Sequence, residues 1–423
     1  MKLPPVHEVN LDNGFKALLV ERKNLPVVGT MLWYQVGARD ERSGETGLSH
    51  FLEHMMFKGT DRYAKGQIDL ITSKLGGSNN AFTDNDVTAY HFALAADRWH
   101  QALEIEASRM RGCLLDPQEF VSEKSVVLEE LAMGEDEPMR VLFHTAEALS
   151  YQVHPYHHPV IGWKEDLERL TIDGMRAYYA RHYGPNRALL VAVGDLDAKE
   201  AEARIRELFT PIAPAQPREQ ALQEPPQKGE RRAVVRYPGE VARILIAART
   251  CRMGEPDDFV LDVMANVLGG GKTSRLYRRL VQKDRLATGV SVSNETRQDP
   301  GMLWIAVEIV EGKDPAKAEA AVRDEVRRLM DAGPTVEELK RTRTQLRSAF
   351  LFDEETVLDL ALKIGRFEAL SPEGYKLLDR VLPTFAKVGT KEIKRATRTY
   401  LADDKLTVVW SLPERSAKGR SRR

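Results

Sequence analysis

Two cysteines, Cys113 and Cys251, are all that the 423 residues contain. That is too few for a disulfide framework or for a zinc site built from cysteine. An excess of one charge is also missing: 62 Lys+Arg face 63 Asp+Glu, a formal net charge of −1. A dedicated nucleic-acid binder would carry a strong basic excess, so that class is set aside. No stretch approaches the roughly 20 apolar residues of a membrane helix, so no membrane span is expected. The opening Met1-Lys2-Leu3-Pro4-Pro5 has no apolar core, so no signal peptide is visible. The expected compartment is the cytoplasm, or the periplasm for a protein whose leader has been removed. The basic run at Lys418–Arg423 reads as a solvated, frayed tail. What remains, 42% hydrophobic and 30% charged, is ordinary globular composition. Disorder, collagen and coiled coil are excluded.

At roughly 100–200 residues per domain, the length implies two to four domains. The sharpest composition shift is residues 211–232, rich in Pro, Gln and charge with no apolar period. It reads as an extended linker. The segments on either side look like diverged copies. Tyr183 precedes the apolar run 188–193, and Tyr400 precedes the run 406–410 at a matching distance, an offset of 217 residues. Each half also opens with an apolar strand (27–34 and 242–247), followed by a glycine with charge around it. Each then enters a helix expected to end in glycine, at Gly59 and at Gly269–Gly271. Several matches in the same order point to duplication. Strand–turn–strand pieces, such as 9–20 around Asp12-Asn13-Gly14, alternate with long helical patterns. The expected fold class is α+β, with two homologous domains, each of helices packed on a mainly antiparallel sheet. The domains are placed at 1–210 and 233–423.

The segment that carries chemistry is 47–59, with His50, Glu53 and His54 in the pattern H-x-x-E-H. Successive helical residues turn by about 100°, so His54 lies about 40° from His50 and Glu53 about 60° to the other side. Two imidazoles one turn apart can grip one Zn²⁺, and the carboxylate between them is placed to take a proton from water at the metal. Phe51, Leu52, Met55 and Met56 make this helix apolar almost all round. Buried charges need partners, and a metal supplies one. Two partly buried histidines and a surface glutamate are the blander reading of the same five residues.

A catalytic zinc site needs a third protein ligand and an open position. Candidates lie on an amphipathic helix from Glu119 to Met133. Glu123 and Glu130 are seven apart and share a face, with Val126 and Val127 on the same side. Glu129 points about 100° away from Glu130. Spacing alone does not choose between them.

With these motifs the chain resembles the pitrilysin-type zinc metallopeptidases, in the branch of processing-peptidase-like half-size subunits. In that family the third ligand is a Glu about seventy-six positions after the second His, which matches Glu130. A further acidic residue seven positions earlier, matching Glu123, holds the ligands in place from outside. Residues 75–84 resemble the family's active-site edge strand, which implies peptide binding at Asn80, Ala81 and Phe82. Residues 154–163 resemble its long loop before the last helix of the first domain, and 268–276 its second glycine turn. The resemblance implies a zinc endopeptidase with one Zn²⁺ per chain and Glu53 as general base. Two such chains would close around a cavity and select peptides or unfolded segments by size.

The second half carries no second site. Aligned on the glycine turns, His50, Glu53 and His54 fall near Leu261, Met264 and Ala265, none a zinc ligand. Self-sufficient relatives carry an Arg and, seven residues later, a Tyr after that turn. Here those positions are Val281 and Thr288. The expected consequence is a homologous partner chain, as in a heterodimeric bacterial enzyme, supplying both groups, with a homodimer as the alternative and Arg279 or Arg285 as possible substitutes. Two rivals are a non-catalytic core-type subunit of a larger complex and a metal hydrolase acting on something other than peptides. Other patterns read as decoys. Gly270-Gly271-Lys272-Thr273 lacks the earlier glycine of a P-loop, where Asn266 stands, and follows a helix rather than a strand. His154, His157 and His158 read as packing residues of a Pro-bounded loop, and His144 as a partly buried histidine. Arg275, Arg278, Arg279, Lys283 and Arg285 read as a solvated helix face.

Overall fold

The computed structural model describes residues 3–414. The basic tail lies outside the described residues. The chain forms two compact units, and they are not consecutive. Of the described residues, one comprises those up to Met133, with His154–Gln223 and Phe350–Asp379; the other comprises Gly134–Val153, Glu224–Ala349 and those from Arg380 onward.

The first unit is built on a sheet of β1 (Val6–Asn10), β2 (Lys16–Glu21), β3 (Val27–Tyr34), β4 (Ser78–Thr83), β5 (Thr88–Ala95) and β6 (Ala188–Gly194), in the order β1-β2-β6-β3-β5-β4. β1 and β2 form the hairpin around Gly14, whose φ of 90° needs glycine. β2 pairs with β6 in parallel, and every other pair is antiparallel. All seven residues of β6 are buried, because helices cover both faces of the sheet. Leu32 and Tyr34 of β3, with Tyr90 and Phe92 of β5, face a core that includes Leu48, Phe51, Leu52 and Met55. On the opposite face, the helix Val357–Leu370 packs on β3 and β6.

The second unit repeats this plan with β7 (Arg231–Tyr237), β8 (Arg243–Arg249), β9 (Ala287–Glu295), β10 (Met302–Ile309) and β11 (Leu406–Pro413), in the order β7-β11-β8-β10-β9. Again a single pair is parallel, here the outer pair β7 with β11, and the rest are antiparallel. Strand for strand, β7 to β11 match β2 to β6 in chain order, sheet order and pairing sense. The helix Pro138–Ser150 packs on β8 and β11.

The two sheet-covering helices are therefore exchanged. Pro138–Ser150 comes from the first half of the chain and packs in the second unit, while Val357–Leu370 comes from the second half and packs in the first. They occupy equivalent places in the repeat, since the 217-residue offset carries 138–150 to 355–367.

Smaller differences from expectation have local causes. The helix expected to reach Gly59 ends at Met55, because the chain must turn for Thr60 to bridge Cys113. The segment 211–232 has no helix or strand before Arg231, where β7 begins. It is not loose chain, however. Arg218 forks onto Asp40 at 2.8 and 2.7 Å, and Ile212 is buried. Val126 is 46% exposed, so only Val127 faces the core. The basic run enters a π-helical segment, Tyr277–Lys283, in which Arg279 pairs with Asp284; Arg275 lies 2.7 Å from Glu338.

Candidate metal centre and its surroundings

The helix Leu48–Met55 begins at Gly47, whose φ is 90° and where a β-carbon would strike the Ile161 carbonyl at 2.4 Å. Only glycine fits. The helix has no side-chain cap of its own, and Glu41 supplies one from outside. Its carboxylate accepts from the backbone N–H of Gly47 at 2.8 Å and of Ser49 at 2.7 Å. Those are donors that a helix start leaves unpaired. Burial pushes the Glu41 carboxyl up to about 8, against the lowering effect of those bonds. Phe51, Leu52, Met55 and Met56 are each 0% exposed, at about 1.5–3 kcal/mol of burial apiece, and they fix the roll of the helix. His50, Glu53 and His54 form the remaining, half-buried stripe.

Glu130, on the helix Pro117–Glu135, meets that stripe. Its Oε2 lies 3.7 Å from His50 Nε2 and 3.6 Å from His54 Nε2. Among the described residues these three form the one such cluster able to hold a metal ion, with ligand atoms within 4.8 Å of one another. Two ligands at about 2.1 Å from a tetrahedral zinc sit about 3.4 Å apart, close to the 3.6 and 3.7 Å that separate Glu130 from the two histidines. Two imidazoles and one carboxylate are also a donor set that zinc favours. The Glu130 side chain is 40% exposed, which leaves the site open on that side. Glu129 is exposed and takes no part in the cluster.

Outside the trio, His54 Nδ1 lies 2.9 Å from Glu123 Oε1, and Glu123 Oε2 lies 2.5 Å from Lys58 Nζ. Burial alone would raise the Glu123 carboxyl, but the bonds and charges of Lys58 and His54 outweigh it and hold it below its ordinary value. A carboxylate on Nδ1 fixes the ring and leaves Nε2 for a metal. Glu53 differs: burial raises its carboxyl above the ordinary value, and the nearby Glu130 charge adds to this. A hydrogen bond from Thr83 and the His54 charge oppose the rise only in part. The Thr83 hydroxyl donates to Glu53 Oε2 at 2.5 Å.

Asn80, Ala81 and Phe82 lie on β4, the edge strand of its sheet. β4 pairs with β5 on one side, and no strand among the described residues pairs with the other. Alternation divides the three residues between faces: Ala81 packs against the main core, whereas Phe82 stacks edge-on with Trp33 at 5.6 Å. Thr83, Lys58 and Glu41 escaped the sequence reading. None belongs to a periodic pattern, and each is recognisable only by what it touches. The decoys separate cleanly. His154 and His158 are buried and bonded within their own loop, and His144 is a half-buried histidine whose pKa burial lowers to about 4. In the second unit, Leu261, Met264 and Ala265 are buried core residues of the helix Pro256–Gly269.

Two copies of one α+β unit, with the inverted H-x-x-E-H on a helix of the first copy alone, define a class of metallopeptidase-type proteins. Comparison with known proteins narrows the class. Residues 16–163 match the family model "Insulinase (Peptidase family M16)", a span that includes His50, Glu53, His54, Glu123 and Glu130. Residues 169–346 match "Peptidase M16 inactive domain". The zinc protease PqqE of Helicobacter pylori is 28% identical, over 97% of this chain and 94% of its own. YmxG of Bacillus subtilis, an uncharacterized zinc protease, is 25% identical over 93% of this chain and 95% of its own. The crystal structure of a protease from Helicobacter pylori superposes with a TM-score of 0.93 at 25% identity, covering 97% of this chain and 100% of that one. A peptidase M16 inactive domain from Pseudomonas fluorescens shares the fold, with a TM-score of 0.89 at 20% identity over 97% of this chain and 98% of that one. The chain belongs to the pitrilysin-type M16 family of zinc peptidases and is a half-size member. No helix among the described residues is long and apolar enough to cross a membrane.

Proposed function

We propose that this protein is a zinc endopeptidase acting on peptides or unfolded segments. The observation that carries the proposal is the convergence of His50 Nε2, His54 Nε2 and Glu130 Oε2, beside a carboxylate, Glu53, that is left to handle a proton. Bound by that trio, one Zn²⁺ per chain would supply the Lewis acid that polarises the scissile carbonyl and acidifies water. Glu53 takes the proton of the attacking water and passes it to the leaving nitrogen. Glu123, tethered by Lys58, keeps His54 turned with Nε2 toward the ligand trio. The peptide adds as a strand along the open edge of β4 beside Asn80, Ala81 and Phe82, so that backbone bonds rather than one side chain give affinity.

A homologous partner chain completes the site. Val281 lies in the Tyr277–Lys283 segment, and its side chain has no hydrogen-bond donor. Thr288 at the start of β9 already bonds Glu308 at 2.8 Å. Neither supplies the Arg and Tyr of self-sufficient relatives, and a partner does. The test is a quenched-peptide assay on wild type and Glu53→Gln, with and without a chelator. Cleavage should stop with the chelator and fall by about 10²–10⁴ in Glu53→Gln at unchanged zinc content. Near-normal turnover in that variant would remove Glu53 from its role, and chelator-resistant cleavage would remove the metal.

A further inference from the structure

We infer that Thr83 is a positioning residue for the general base and holds the Glu53 carboxylate in one orientation through Oε2; this rests on the reading of Glu53 as that base. Thr83 is the last residue of β4, on the same face as Ala81 and therefore toward the helix Leu48–Met55. Its Oγ1 lies 2.5 Å from Glu53 Oε2 and 3.4 Å from Thr88 Oγ1. Each hydroxyl has one proton to give. Thr88 Oγ1 lies 3.0 Å from the Val36 carbonyl, which can only accept, so the Thr88 proton is committed there. The Thr83 proton goes to the nearer, charged acceptor, the Glu53 carboxylate. Held at Oε2, the Glu53 carboxylate is fixed in one orientation.

The arrangement depends on strand register. Thr83 stands opposite Thr88 in the β4–β5 pairing, and a slip of one residue would turn its side chain to the other face. The outer edge of the same six-residue strand is where the peptide is proposed to add. One element thus carries both the docking edge and the hydroxyl that orients the base, so the position of the scissile bond and the direction of the carboxylate are set together.

The experiment compares wild type, Thr83→Val, Thr83→Ser and Glu53→Gln as zinc-loaded full chains. Valine keeps the branched shape and strand preference and loses only the hydroxyl, while serine keeps the hydroxyl. Infrared difference spectra on protein with isotope-labelled glutamate identify the Glu53 carboxylate band as the one that Glu53→Gln removes. That band should shift in Thr83→Val and return in Thr83→Ser. Peptide cleavage, read on whichever assembly cleaves, should show kcat lowered by about 10–100-fold in Thr83→Val, with KM and zinc content unchanged and with recovery in Thr83→Ser. A Glu53 band that does not move in Thr83→Val overturns the inference. So does wild-type kcat in Thr83→Val when Glu53→Gln is inactive. If Glu53→Gln itself turns over like wild type, the reading of Glu53 as base fails, and the band shift still decides whether Thr83 holds it.

Discussion

Gly365→Ala separates local helix preference from tertiary packing by the sign of its effect. Gly365 lies within the helix Val357–Leu370, where alanine is favoured over glycine by about 0.8–1.0 kcal/mol on propensity alone. Packing opposes this. A β-carbon at that position would lie 2.0 Å from Trp33 Nε1 and 2.3 Å from its Cε2. Trp33 is 1% exposed within β3, so the indole has little room to retreat. Ordinary contact for such atoms is about 3.5 Å, and helix or ring must give by more than 1 Å. Overpacking of a filled core costs about 1–3 kcal/mol, with the upper end apt for a rigid ring. The net effect is a loss of about 2 kcal/mol, which in a unit of this size lowers Tm by about 4–8 °C. Scanning calorimetry, followed by tryptophan near-UV circular dichroism, reads it. An unchanged or raised Tm would mean that the helix from the second half of the chain does not cover the first sheet.

Three further outcomes can be measured directly. Glu130→Gln should weaken zinc binding and cleavage together, whereas Glu129→Gln should change neither; equal metal loss in both would mean the wrong carboxylate was chosen. Glu123→Gln should fall between them, about 10–100-fold weaker for zinc, with Lys58→Met shifting binding in the same direction through the Glu123 it tethers. The purified chain should bind zinc yet cleave unstructured peptides poorly until a homologous subunit carrying the Arg and Tyr is added; robust cleavage alone, not raised by a partner, would refute complementation.

The stripe of His50, Glu53 and His54 was legible in the sequence because helix periodicity alone places three side chains on one side. The choice between Glu129 and Glu130 was not. The two lie about 100° apart on their helix, and only the position of that helix against Leu48–Met55 shows which of them meets the histidines. The repeat was legible through Tyr183 and Tyr400 and the strands that follow them, and β2–β6 and β7–β11 share one pairing plan. The helix exchange was not legible. Apolar residues in Pro138–Ser150 and Val357–Leu370 say that each helix buries a face, and nothing in their period says against which sheet. Polar contacts such as Thr83 to Glu53 and Arg218 to Asp40 are likewise invisible to period, since they join residues 30 and 178 positions apart.

The central claim is that one zinc ion sits among His50, His54 and Glu130. Anomalous diffraction at the zinc edge, on crystals of zinc-loaded protein that cleaves peptides, tests it most directly. The predicted result is a single peak at about 2.0–2.1 Å from His50 Nε2 and His54 Nε2, with a Glu130 oxygen completing the protein ligands. A peak elsewhere, or none in protein that is active, would contradict the account.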